Sequence, residues 1–190
     1  MESQIIKALQ ESIAVKNQVI EKLVPRIEQA AKLMIASLKN GNKIMFFGNG
    51  GSAADAQHLA AELIGRFLKE RKALPAIALT TDSSILTCLG NDYSFDIIFA
   101  RQIEGLAKKG DVAFGLSTSG NSKNVLKGLE KAKELGCQTI ALLGGEGGTI
   151  TAKVDLAITV PSTATPRVQE AHITIGHILC GLVEEELFPK

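Results

Sequence analysis

Two side chains that can bind a metal ion or transfer a proton, His58 and Glu62, stand four positions apart in a segment with helical spacing. Side chains at i and i+4 project from one face of a helix and can reach a common ligand. An imidazole beside a carboxylate forms half of a zinc site or an acid–base pair. A simple hydrogen bond between them on the helix surface explains the same spacing, and the segment QHLAAE does not match the HExxH pattern. Spacing alone therefore leaves both interpretations open.

The other two histidines, His172 and His177, lie in the apolar segment RVQEAHITIGHILC, which is predicted to belong to the last helix. Gln169 precedes His177 by eight residues, so the two are about 80° apart around a helix and about 12 Å apart along it. They can share a small ligand only by leaning toward each other. A histidine inside an apolar helix is usually a hydrogen-bonded core residue, which is the expectation for His172.

The segment GNGGSA, residues 48–53, follows an apolar run and precedes a helical segment. Glycines let the backbone approach a ligand closely, and the free amides at a helix N-terminus favour an anion. The segment lacks the third glycine of the GxGxxG pattern of dinucleotide-binding proteins, and the chain has no GxxxxGK[ST] motif. A tight turn in which Ser52 caps the helix is the alternative interpretation.

The segment STSGNS, also between an apolar run and a helical one, carries four hydroxyl groups within six residues: Ser117, Thr118, Ser119 and Ser122. Hydroxyls and helix-terminal amides can surround phosphate oxygens without a basic side chain. Helix capping needs only one or two hydroxyls, so the cluster predicts a phosphate site. Asn91 and Asp92, in a predicted loop over 80–92, can hold sugar hydroxyls or simply form a turn.

Short apolar runs bounded by turn residues alternate with helical segments along residues 41–190, which is typical of parallel strands joined by helical crossovers. The predicted strands are 43–47, 75–79, 111–116, 139–143 and 155–160, and the predicted helices are 52–69, 94–108, 122–136 and 166–188. The expected fold is an α/β three-layer sandwich with a five-stranded parallel sheet. Ligands of such sheets bind at the carboxyl ends of the strands, here the loops 48–52, 80–92, 116–122 and 144–150.

Residues 2–40 have the apolar spacing of two helices, broken near Pro25 and ending at Asn40-Gly41. We expect one domain over 1–190, in which residues 1–40 form a helical extension to the α/β core. Val15 and Ile20 lie outside the main apolar stripe of the first helix, which indicates either contact with a second subunit or ordinary core packing.

Composition excludes several classes of protein. The 21 Lys and Arg against 20 Asp and Glu give a net charge of +1, too little for a basic nucleic-acid-binding arm. The 45% hydrophobic content is that of a domain with a core. The three separated cysteines, Cys88, Cys137 and Cys180, suggest neither a disulfide framework nor a CxxC metal site. With no export signal or membrane-spanning run in the sequence, we expect a cytoplasmic protein without a membrane partner.

The segments GNGGSAADAQHLAAELIGRF, GND, STSGNS and RVQEAHITIGHIL, in this order across the whole chain, resemble the sugar isomerase (SIS) domain family. Within it they are similar to the enzymes that convert sedoheptulose 7-phosphate to D-glycero-D-manno-heptose 7-phosphate. The resemblance implies proton transfer between C1 and C2 through an enediol, as the first step toward the ADP- or GDP-heptose of lipopolysaccharide core or another surface glycan. It also implies a homotetramer with active sites between subunits.

The resemblance assigns roles to residues that match the family motifs. It implies that Glu62 is the general base and His177 the partnering acid. It implies one zinc ion per subunit, bound by His58, Glu62, Gln169 and His177. It implies that phosphate binds Ser117, Thr118, Ser119 and Ser122, and that the substrate also contacts Asn49, Gly50, Gly51, Ser52, Glu62, Asn91, Asp92 and Gln169.

Two other functions are possible on the same fold. One is a non-catalytic tetrameric scaffold that binds the replication initiator, whose pattern lacks the residues corresponding to Glu62 and His177. The other is a sugar-phosphate sensor, which needs no acid–base pair and carries a DNA-binding domain that this sequence lacks. Because this chain has both residues, together with His58 and Gln169, the prediction is the isomerase.

Overall fold

The computed structural model describes residues 1–189, and its centre is a five-stranded parallel sheet. The strand order is β2-β1-β3-β4-β5, and every neighbouring pair is parallel. The strands are β1 Ile44–Gly48, β2 Ala76–Ala78, β3 Val112–Ser117, β4 Gln138–Gly144 and β5 Leu156–Val160. This confirms the predicted α/β architecture.

Within residues 1–189, six helices cover the sheet: α1 Glu2–Lys39, α2 Gly51–Ile64, α3 Ser83–Asp92, α4 Ile98–Leu106, α5 Lys123–Glu134 and α6 Thr165–Leu187. Single 3₁₀ turns lie at Phe95–Ile97 and Thr151–Lys153. Helices α1, α2 and α6 bury one face of the sheet, and α3, α4 and α5 bury the other. Successive side chains along β1 belong to two different hydrophobic cores, one on each face of the sheet. Phe46 packs on Phe114 in the first core, and Phe47 packs on Phe99 in the second.

Strands β1 and β3 are neighbours although β2 lies between them in sequence, so the strand order reverses at β1. In open α/β sheets, ligands bind outside the carboxyl ends of the strands at such a switch point. Gly48 pairs with Leu116 at the carboxyl ends of β1 and β3. The sheet therefore brings the GNGGSA and STSGNS segments to one edge.

The predicted break near Pro25 is wrong, because α1 is continuous through it. Proline removes one backbone hydrogen bond, to the carbonyl of residue 21, but Pro25 and Glu21 both lie on the exposed side, where water can replace the missing donor. The buried stripe continues across the proline, from Val19 to Ile27 and Met34. Packing of that stripe against the core keeps the two halves of α1, before and after Pro25, in one continuous helix.

The predicted loop over 80–92 is also wrong for most of its length, since residues 83–92 form α3. Asp82 caps this helix by accepting a hydrogen bond from the Ile85 amide at 2.8 Å. Only Leu89 is buried in α3, so this helix has no clear apolar stripe in the sequence. The sequence Gly90-Asn91-Asp92 is typical of a turn, which is why a loop was predicted here. An aspartate at the start was the signal for it.

The N-terminal part of α1 exposes a row of large apolar side chains. Val15 is buried within the chain, which agrees with core packing, whereas Ile20 is 66% exposed. The other exposed members of this row are Ile5, Ile6, Leu9, Ile13 and Val24.

Among the described helices, none has a stretch that is both long and apolar enough for a bilayer span.

Candidate active site

The site is built around three side chains that the packing of α2 on α6 brings together. The Nε2 atoms of His58 and His177 are 2.9 Å apart, and His58 Nε2 is 3.1 Å from Glu62 Oε1. The nitrogen and oxygen atoms that the three residues offer lie within 4.8 Å of one another. Helix α6 approaches α2 this closely because residue 176 is glycine, where a Cβ atom would lie 2.5 Å from Leu59 Cδ2.

This group has the donor set of a zinc site. Two imidazole nitrogens and a carboxylate oxygen are ordinary zinc ligands. The two Nε2 atoms face each other, and without a metal only one of the two rings can donate in a hydrogen bond between them. The residues present therefore fit a divalent metal. The Glu62 side chain is 21% exposed and that of His58 is 48% exposed, so a substrate can reach both.

The Gln169 amide lies at the N-terminus of α2, directly over Gly51. A Cβ atom at residue 51 would lie 2.4 Å from Gln169 Nε2, so this approach requires glycine. Within residues 1–189, no hydrogen bond joins Gln169 to His58, Glu62 or His177. Gln169 thus contacts the Gly-rich turn, about two helical turns before His177 on α6.

His172 is a core residue, as expected from its apolar neighbours. It is fully buried, and its Nε2 is 3.0 Å from the Leu143 carbonyl oxygen. Burial lowers the pKa of His172 from 6.5 to about 4, so the ring is neutral at pH 7 and Nε2 donates to the carbonyl. This bond joins α6 to the carboxyl end of β4.

The STSGNS segment forms the turn from β3 into α5. Thr118 and Ser119 line a cleft of about 370 Å³, together with Thr163, Thr165 and the loop at 144–148. Ser117 is buried, and its hydroxyl is 3.0 Å from that of Ser122. Ser122 precedes α5 without capping it through its side chain. The hydroxyls of Ser117 and Ser122 thus lie together at the start of α5, where the amides of a helix N-terminus favour an anion.

The GNGGSA segment forms the turn from β1 into α2. Helix α2 begins at Gly51 after Gly50, whose φ of 56° favours glycine, and no side chain caps it. The alternative in which Ser52 caps the helix is therefore wrong, because Ser52 lies buried inside the first turn. The Asn49 amide forms two hydrogen bonds with the amide of Asn124, at 2.8 and 2.9 Å.

Asn91 and Asp92 lie in the last turn of α3, not in a loop. Both are exposed, and Asn91 Nδ2 donates to Asp92 Oδ1 at 2.8 Å. In the part of the chain that the structure describes, no hydrogen bond links them to the other predicted site residues.

The sequence analysis missed several residues next to these groups. Asn124 is buried and joins the turn of Asn49 to α5. One carboxylate oxygen of Asp55 is buried without a hydrogen-bond partner among residues 1–189, and burial raises the pKa of this group. Phe67 stacks on His177 with ring centroids 5.5 Å apart. Only Asp55 had a sequence signal, because it precedes His58 by three residues on the same helix.

Comparison with known proteins agrees with this geometry. The model of the SIS domain matches residues 9–144. The chain is 59% identical over 181 residues to a phosphoheptose isomerase of Nitratiruptor, covering 95% of this chain and 97% of the relative. It is 63% identical over 168 residues to that of Geotalea daltonii, covering 88% of each.

Solved structures give the same result. The phosphoheptose isomerase from Neisseria gonorrhoeae superposes with a TM-score of 0.93 at 44% identity, over 97% of this chain and 98% of that one. The one from Francisella tularensis has a TM-score of 0.93 at 39% identity, over 96% and 97%. The chain belongs to the SIS domain family, and within it to the phosphoheptose isomerases.

Proposed function

We propose that the chain converts sedoheptulose 7-phosphate to D-glycero-D-manno-heptose 7-phosphate, the first step in making activated heptose for lipopolysaccharide core or another surface glycan. The observation that carries this proposal is the convergence of Glu62 and His177, from different helices, within one 4.8 Å group. An aldose–ketose isomerase needs such a pair to move protons between two carbons and their oxygens. A scaffold protein has no use for it.

The ketose loses a proton from C1 and gains one at C2. We assign the carboxylate of Glu62 to take the C1 proton and, after exchange with solvent, to deliver a proton to C2. His177 protonates the C2 oxygen as the enediol forms, and then accepts the proton of the C1 hydroxyl as the aldehyde appears. Atoms and charges balance, because each group ends in its starting protonation state.

Phosphate recognition falls to Ser117, Thr118, Ser119 and Ser122, which provide hydroxyls around the N-terminus of α5. Asn49, Gly50, Gly51 and Ser52 border the sugar on the neighbouring turn. Asn91 and Asp92 are further sugar ligands. Anchoring the remote phosphate fixes C1 and C2 against the acid–base pair, which lowers the entropic part of the barrier.

We propose that one zinc ion per subunit binds His58, Glu62, Gln169 and His177. The N/O donor set of His58, Glu62 and His177 supports the assignment of these three residues. When bound, zinc would polarise the substrate carbonyl or organise the site. Coordination to a cation would reduce the basicity of Glu62, and it would leave only the unbound ring nitrogen of His177 to carry a proton. Each residue therefore serves as ligand and in proton transfer only with some loss in one role.

We further propose a cytoplasmic homotetramer with its active sites between subunits. The row of exposed apolar side chains on α1, including Leu9, Ile13 and Ile20, supports an interface, because isolated chains rarely expose so much contiguous apolar surface. Cys88, Cys137 and Cys180 are free in the described part of the chain, which supports a reducing compartment. An interface would also allow a partner to complete the exposed side of the site.

The test is to incubate the protein with sedoheptulose 7-phosphate in deuterated water and to follow the products by NMR. We expect the aldose to form with deuterium at C2, and a chelator to reduce the rate. A folded, zinc-loaded protein that forms no aldose would overturn the proposal. Unchanged turnover after verified zinc removal would overturn the role of the metal alone.

A further inference from the structure

A buried ion pair lies beside the site without taking part in the proposed chemistry. Arg71 Nε donates to Glu184 Oε1 at 2.9 Å, and both side chains are 1% exposed. Glu184 also accepts hydrogen bonds from the backbone amides of Phe67, Leu68 and Lys69, at 2.8, 2.7 and 3.0 Å. A carboxylate with this many donors holds a segment in one conformation. Glu184, on α6, therefore fixes the segment 67–71.

Arg71 connects the same carboxylate to the end of α2. Its Nη2 donates to the Glu62 carbonyl oxygen at 2.7 Å, and its Nη1 donates to the Leu63 carbonyl oxygen at 2.7 Å. These carbonyls belong to the last turn of α2, where acceptors have no partners within the helix, and the Leu63 carbonyl oxygen also accepts from the Leu74 amide at 3.0 Å. A guanidinium reaches them and Glu184 together because its donors are arranged in a rigid planar fork.

The fixed segment also contacts His177. The Phe67 ring is stacked on the His177 imidazole, with centroids 5.5 Å apart and an angle of 25° between the planes. The His177 ring also contacts His58, with centroids 5.1 Å apart and an angle of 58° between the planes. His177 therefore contacts two rings, and the backbone amide of one of them, Phe67, donates to Glu184.

We propose that Arg71, Glu184 and Phe67 form a positioning element for the acid–base pair. Arg71 fixes the turn of α2 that carries Glu62, and Phe67 holds the His177 ring so that Nε2 faces His58 and Glu62. None of the three touches the reacting atoms. The inference rests on the proposed roles of Glu62 and His177, and it adds residues that act through them.

Phe67→Ala tests the stacking contact, with Phe67→Tyr as the conservative variant and Leu135→Ala, at the far end of α5, as a matched truncation. Two readouts are used: zinc affinity of the metal-free protein in competition with a chromogenic chelator, and separate values of kcat and KM. For Phe67→Ala we expect a zinc dissociation constant about 10–100-fold higher, the usual effect of losing a residue that orients a ligand. We expect kcat about tenfold lower or more, with KM nearly unchanged.

Phe67→Tyr and Leu135→Ala should retain both properties of the unmodified protein. If a folded Phe67→Ala variant keeps its zinc affinity and its kcat, the role of Phe67 is refuted. If the unmodified protein does not isomerise sedoheptulose 7-phosphate but Phe67→Ala still loses zinc affinity and Phe67→Tyr restores it, the positioning element stands and the proposed substrate fails.

Arg71→Lys tests the other part of the element without removing the buried charge. An ammonium cannot span Glu184 and both carbonyls of α2, so we expect a folded protein with a reduced kcat and a nearly unchanged KM. Circular dichroism and size-exclusion chromatography check folding and assembly. Full kcat in Arg71→Lys would refute the proposed fixing of Glu62 by Arg71.

Discussion

Gly51→Ala should impair catalysis while leaving the protein folded. Residue 51 is the first residue of α2 and has no positive φ, so alanine fits the backbone and gains up to about 1 kcal/mol of helix propensity. Its Cβ atom would lie 2.4 Å from Gln169 Nε2 and 2.8 Å from Cδ, so the amide must move. Overpacking of this kind costs about 1–3 kcal/mol, and the flexible end of Gln169 places it at the lower end. The net change in unfolding free energy is then about 0–2 kcal/mol of destabilisation.

The assay combines urea unfolding with kcat, KM and zinc affinity. We expect kcat to fall about tenfold or more, because a side chain assigned to both metal and substrate is displaced. Gly105→Ala is the control, since residue 105 lies in α4 with open space around its Cβ position. It should stabilise the protein slightly and leave activity unchanged. A Gly51→Ala variant with full kcat and full zinc affinity would refute the role of Gln169.

Three further predictions follow from individual contacts. Ser119→Ala should raise KM by about 5–150-fold if the hydroxyl donates to phosphate, corresponding to about 1–3 kcal/mol, and an unchanged KM would contradict this. Asn124→Ala should lower the free energy of unfolding by about 1–3 kcal/mol, because it leaves the Asn49 amide without a partner, and urea denaturation measures the loss. His172 is neutral in the folded chain, with a pKa of about 4, but binds a proton below 6.5 when unfolded, so stability should fall by up to about 3 kcal/mol from pH 6.5 to 4. His172→Gln should show a shallower fall over that range, and equal slopes would refute the assignment.

The sequence predicts the sheet well because its central strands are buried on both faces. Such strands appear as short continuous apolar runs between turn residues, as in β1 and β3. Helix boundaries were less predictable, because tertiary packing overrides local signals. Pro25 does not break α1, and a single buried residue, Leu89, gives α3 too weak a pattern. Local sequence carries no information on whether a lost hydrogen bond is compensated by packing elsewhere.

The candidate site, like the fold, has parts that the local sequence predicts and parts that only tertiary packing determines. The spacing of His58 and Glu62 predicts that they share a helix face, but only the packing of α2 on α6 brings His177 to them. Arg71 and Glu184 are 113 positions apart, and nothing near either residue signals their contact. The buried partner of Asn49 is likewise 75 positions away. Contacts between distant segments are predictable only from the fold itself, or from a resemblance to a family whose fold is known.

The most direct test of the central assignment is proton exchange catalysed by Glu62→Gln. The amide is nearly isosteric with the carboxylate but cannot accept the C1 proton, and Glu104→Gln, on the exposed surface of α4, is the matched control. The variants are incubated with sedoheptulose 7-phosphate in deuterated water, and deuterium at C1 and C2 is followed by NMR. We predict that Glu104→Gln exchanges and converts the substrate like the unmodified protein, while folded Glu62→Gln incorporates no deuterium at either carbon. Deuterium incorporation by Glu62→Gln at the rate of the control would contradict Glu62 as the base.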